Sequence, residues 1–113
     1  MPGKARVVAV LLMAVLCSAD VLAQKRISFK RGASSATVSG RIAANGYTEY
    51  VINGREGQVM TIVITSGNGA VVVNAGTASG KDFSLDMSGG DHLLSIVNTA
   101  KTATNYTLTV SIR

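Results

Sequence analysis

The chain has 113 residues, 47% of them hydrophobic and 15% charged, with a formal net charge of +5, one cysteine, one histidine and no tryptophan. That length holds one small domain rather than two. A lone cysteine and a lone histidine exclude a disulfide framework and leave a zinc site nothing but carboxylates to rely on.

The first 23 residues have the layout of a secretory signal. Basic Lys4 and Arg6 precede an unbroken apolar run from Val7 to Cys17, and Val21-Leu22-Ala23 offers small side chains to a signal peptidase before Gln24. The run is about half of the roughly 20 residues a bilayer-spanning helix needs, which argues against a permanent anchor. Leu16 precedes Cys17 where a lipoprotein cleavage site needs a small residue, so lipidation is disfavoured. A single domain over residues 24–113 is expected. Lys4, Arg6 and Asp20 leave with the signal, so the formal charge falls from +5 to +4 and the only cysteine is lost. An exported domain without disulfides must be held by its core, which fits a bacterial periplasm or a secreted bacterial product.

Eight strands are predicted after the signal: Arg26 to Lys30, Ser35 to Arg41, Thr48 to Asn53, Gln58 to Ser66, Ala70 to Ala75, Asp82 to Met87, His92 to Asn98, and Asn105 to Arg113. Lys25, Arg26, Lys30 and Arg31 flank Ile27 and Phe29, as on the solvated edge of a first strand. Asn45-Gly46 and Asn53-Gly54 tolerate positive φ, Gly67-Asn68-Gly69 looks like a short hairpin loop, and Gly89-Gly90-Asp91 closes another such loop. In Gln58 to Thr65, Met60, Ile62 and Ile64 share one face while Val59 and Val63 lie on the other, the pattern of a central strand covered on both sides. Strict alternation in Asp82-Phe83-Ser84-Leu85-Asp86-Met87 and in Tyr106 to Ile112 puts each apolar set on one face. No helical period appears and proline is absent from this part of the chain, so the fold class is all-β. An antiparallel sandwich of about eight strands is expected ahead of a closed barrel.

Nothing assembles a catalytic set. His92 follows Asp91, but neighbouring strand residues face opposite ways, and His92 shares its parity with Leu94 and Ile96 as a partly buried rim residue would. Asp82 and Asp86 share a face roughly 13 Å apart, too far for either glycosidase geometry. The glycine-rich turns precede no helix that could hold a phosphate. With no tryptophan and only two tyrosines clearly in strands, a sugar-stacking platform is disfavoured too. The domain is read as a non-enzymatic binder without metal or cofactor. Two polar loops carry more than a turn needs: Thr77 to Asp82, with a hydroxyl, an ammonium and a mobile glycine, and Asn98 to Asn105, with Lys101 among small polar groups.

Several pieces, in order and spacing, resemble the periplasmic inhibitors of goose-type lysozyme. They are Phe29-Lys30-Arg31-Gly32-Ala33-Ser34-Ser35-Ala36, Tyr50-Val51-Ile52-Asn53 leading to Gly57-Gln58-Val59-Met60, Ser79-Gly80-Lys81-Asp82-Phe83, Gly90-Asp91-His92, and Asn105-Tyr106-Thr107-Leu108. Much the same framework occurs in exported β-sandwich modules appended to peptidases. The resemblance implies a bacterial envelope protein that inserts a loop into a lysozyme cleft. Ser79, Gly80 and Lys81, together with Lys101 of the second polar loop, are the expected partner-binding residues. A periplasmic protein-binding or glycan-binding sandwich is the alternative.

Overall fold

The computed structural model describes residues 25–113, and the expected signal segment with Cys17 lies outside the described residues. The described residues form nine strands: β1 (Lys25–Arg26), β2 (Ser35–Ile42), β3 (Tyr47–Gly54), β4 (Val59–Ser66), β5 (Val71–Ala75), β6 (Ala78–Gly80), β7 (Asp82–Asp86), β8 (Gly90–Asn98) and β9 (Thr104–Ile112). They make two packed sheets, β1-β3-β8-β5-β6 and β2-β9-β4-β7, the all-β sandwich expected. We call these the first and second sheet.

Alternation places the core. Met60, Ile62 and Ile64 of β4 and Leu108 and Val110 of β9 point inward against Tyr50 and Ile52 of β3 and Leu94 and Ile96 of β8, all buried. Phe83 and Leu85 of β7 complete the layer as partly buried neighbours. The two sheets are also tied by one polar contact, a 2.7 Å hydrogen bond between the buried hydroxyls of Tyr50 and Tyr106. Gly40, opposite Tyr106 in the β2–β9 ladder, makes room for that ring: a Cβ there would lie 2.8 Å from the Tyr106 hydroxyl oxygen.

Five expectations are corrected. The first strand ends at Arg26 instead of reaching Lys30, because the chain turns at Lys30–Ala33, and it pairs with β3 in parallel. Val59 is 39% exposed, so β4 is central in its sheet yet open to water on its outer face. Asn53-Gly54 is not a turn: β3 runs through Gly54, which packs its bare Cα against the Met87 thioether, and the chain reverses at Arg55–Gln58. Gly67-Asn68-Gly69 joins strands of opposite sheets and so is an arch, not a hairpin; the same holds for seven of the eight connections. Among the described residues, only β5 and β6 form a hairpin, across Gly76-Thr77. Finally, Thr77 to Asp82 is not a loop, since it contains β6 as an added edge strand of the first sheet.

Candidate functional site

β2, β4 and β8 finish, and β3, β5 and β9 begin, at one end of the sandwich. Three connections therefore gather there, and buried Asn98 stitches them together. Its Nδ2 donates to the carbonyls of Ala43 at 3.0 Å and Thr102 at 2.8 Å, while its Oδ1 accepts from the Ala100 amide at 3.1 Å. Asn68 fastens the β4–β5 arch in the same way: its amide accepts from Ala70 N at 3.0 Å and donates towards Thr102. The Thr99 hydroxyl donates to the Ala70 carbonyl at 2.8 Å. Side chains that satisfy backbone groups in this manner convert polar loops into a fixed surface.

Lys81 and Lys101 both belong to this end. Lys101 is exposed in the β8–β9 connection. Lys81 lies where the chain passes from β6 in the first sheet to β7 in the second, with its carbonyl accepting from Ile64 N at 2.8 Å. Its ammonium donates to the carbonyl of Gly69, so the arch holds it in place. Gly80 belongs to β6, opposite Val73 of β5. Its φ of +144° is open to glycine but strained for other residues, and it turns the chain between sheets beside Phe83. Ser79 departs from the other three. It pairs opposite Asn74 on β6 and shares the exposed outer face of the first sheet with it.

That outer face adds a residue the sequence reading passed over. Tyr47 is 62% exposed at the start of β3, next to Val97 in the β3–β8 register and hence close to the β8–β9 connection. Its position just after the Asn45-Gly46 turn was the available signal. Asn98 was also missed, although its parity with Leu94 and Ile96 marks it as an inward-facing polar residue.

The opposite end is occupied by a salt bridge. Arg26 binds Asp91 through two bonds of 3.1 and 2.9 Å, and Asn53 adds a third at 3.1 Å. Hydrogen bonds from Arg26 and then Asn53 hold the Asp91 carboxyl down at about 2, so it stays ionised and is no proton carrier at neutral pH. His92 turns away and donates from Nε2 to the Ser88 carbonyl at 2.8 Å. Among the described residues, no group of three His, Asp or Glu side chains comes together to hold a metal.

No family model matches the sequence, and no curated protein matches it by sequence. Solved structures do match: PliG of Aeromonas hydrophila, a periplasmic inhibitor of g-type lysozyme, superposes with a TM-score of 0.72 at 19% identity, covering 80% of this chain and 96% of that one. The fold is that of the periplasmic g-type lysozyme inhibitors. PliG of Salmonella Typhimurium superposes at 0.64 with 21% identity, over 80% of this chain and 97% of its own. The pre-peptidase C-terminal domain of a Bacillus anthracis collagenase matches at 0.61 and 15%, over 80% and 95%. The expected likeness to PliG and to peptidase-appended modules thus holds for the architecture.

Proposed function

We propose that this domain is exported to the bacterial periplasm, loses residues 1–23, and inhibits a lysozyme by occluding its cleft, without turnover. The observation that carries this reading is the shared fold with PliG over 80% of the chain. The Asn98-stitched end is the inhibitory surface: Lys81 donates to the enzyme's catalytic carboxyl, Gly80 fixes the approach, Lys101 adds a second ammonium, and Ser79 meets the enzyme from the adjoining outer face of the first sheet. Charge-assisted hydrogen bonds to a carboxylate are among the stronger polar contacts. A surface already ordered by Asn68, Asn98 and Lys81 loses little conformational freedom on binding. Because many lysozymes are basic, a domain of net charge +4 gains no long-range steering and depends on local fit.

The test is lysis of peptidoglycan by goose-type and chicken-type lysozymes with and without the purified protein. Protection by micromolar protein is expected, together with weaker protection by Lys81→Ala and Lys101→Ala variants that remain folded. Absence of protection by the folded protein would sink the reading. A second reading, a non-enzymatic protein-binding module of the envelope, is favoured by the exposed side chains of Tyr47 and Leu93 on the outer face of the first sheet. It predicts binding that survives loss of both lysines.

A further inference from the structure

The sandwich has four strand edges, and they are not equally protected. Among the described residues, β1 and β6 offer only two and three residues to another strand. On β7, the 2.8 Å bond from Met87 N to the Gln58 carbonyl fixes which residues bond to β4, and it leaves Asp82, Ser84 and Asp86 facing outward. Two of those three are aspartates, the kind of charge that guards an edge.

β2 is different. Ile112 N donates to the Ser34 carbonyl at 2.9 Å, so Ser34 and Ile112 form a hydrogen-bonded pair and so do Ala36–Val110, Val38–Leu108, Gly40–Tyr106 and Ile42–Thr104. The amides and carbonyls of Ser35, Thr37, Ser39 and Arg41 must then point away from β9, and among the described residues no backbone bond reaches them. The strand is eight residues long and has neither a proline nor an acidic residue. Its one charge, Arg41, is drawn back across the sheet by a 3.2 Å bond to the Asn105 amide oxygen. Beside the strand, Ala36 and Val38 point inward but stay half-exposed, in a groove bordered by Ile27 and Lys30.

We propose that β2 is a docking edge for a second copy of this chain, joined antiparallel about a two-fold axis through Val38. In that register Ser35 pairs with Arg41 of the other copy and Thr37 with Ser39, so all four outward residues exchange bonds and no two arginines stand opposite. Val38 meets its own counterpart over the open groove, and the exposed hydroxyl rows Thr37–Thr109 and Ser39–Thr107 continue into the partner. Such a self-complementary contact is what two-fold symmetry requires. The partner's Arg41 approaches Lys30 and Arg31, which precede β2, so added salt strengthens the dimer. The proposal does not depend on lysozyme inhibition.

The test is sedimentation velocity of the purified protein over roughly 1 µM to 1 mM, combined with amide exchange. The expected result is a concentration-dependent dimer in which the amides of Ser35, Thr37, Ser39 and Arg41 slow their exchange while those of Asp82, Ser84 and Asp86 do not. Ser39→Pro removes an outward donor without touching a β9 bond, and Thr37→Lys adds a charge to the edge; either shifts dissociation at least tenfold towards monomer, and Ser84→Pro does not. A protein that stays monomeric at 1 mM overturns the proposal, whether or not β2 takes up a strand from another protein. So does a dimer whose protection maps elsewhere.

Discussion

Replacing Tyr50 or Tyr106 by phenylalanine tests the polar tie between the sheets. Tyr50 and Tyr106 are 4% and 3% exposed and their hydroxyls are 2.7 Å apart, so a single change removes one oxygen and leaves the other buried without its partner. That costs about 1–3 kcal/mol for either variant, the desolvation of an unpaired hydroxyl. With both positions changed, no polar group is stranded and the two rings still fill their space. The double variant therefore loses much less than the sum, with a coupling of about 1–3 kcal/mol. Urea unfolding followed by circular dichroism measures this directly. With a slope of about 1 kcal/mol per molar urea for a domain of this size, each single change lowers the midpoint by about 1–3 M. Additive losses, or single variants as stable as the parent, would refute the account of a dry, mutually satisfied pair.

Burial, followed by the bond to Tyr50, raises the Tyr106 pKa above its ordinary 10.0, so the fold favours the neutral phenol. The raised folded value means its contribution is complete below about pH 10 and is lost as pH rises further, because the unfolded chain ionises first. Alkaline melts of Tyr106→Phe should accordingly flatten relative to the parent. Asp91 acts in the opposite direction: its folded value of about 2 lies below the ordinary 3.8, so its contribution is present above that value and disappears as pH falls towards 2. Asp91→Asn should reduce the acid dependence of the melting temperature, modestly, since the pair with Arg26 is exposed and salt-screened. Gly40→Ala places a methyl group 2.8 Å from the Tyr106 hydroxyl oxygen and 3.0 Å from Cζ, and overpacking of this kind lowers stability by about 1–3 kcal/mol. A neutral result in the same urea assay would mean that Tyr106 yields more readily than its packing implies.

The alternation in Phe83, Leu85 and Met87, and in Tyr106, Leu108, Val110 and Ile112, was readable because a period of two leaves one solution for which side is buried. The same parity placed His92 at the rim. Sheet membership was not readable. Asn45-Gly46 and Gly67-Asn68-Gly69 supply positive φ and a change of direction, and those needs are identical for a hairpin and for an arch between sheets. β6 was hidden because three residues are too few to express a period, and parallel β1 because pairing direction leaves no mark on two residues. At the candidate site, the sequence marked Lys81 and Lys101 by charge and composition. It could not reveal that Gly69 restrains one of them or that Asn98 anchors the other's loop, since both are contacts between distant segments.

Because consecutive strands so rarely pair, the order in which the chain becomes available matters. β9, the last strand, lies between β2 and β4 at the centre of its sheet. Until its nine residues are free, β2 has no ladder to join and β4 keeps only β7. A chain emerging from its amino end therefore holds no stable half-domain, and its folding is slow, as expected where contacts join remote segments. The sandwich therefore closes as a unit, when β9 inserts between β2 and β4.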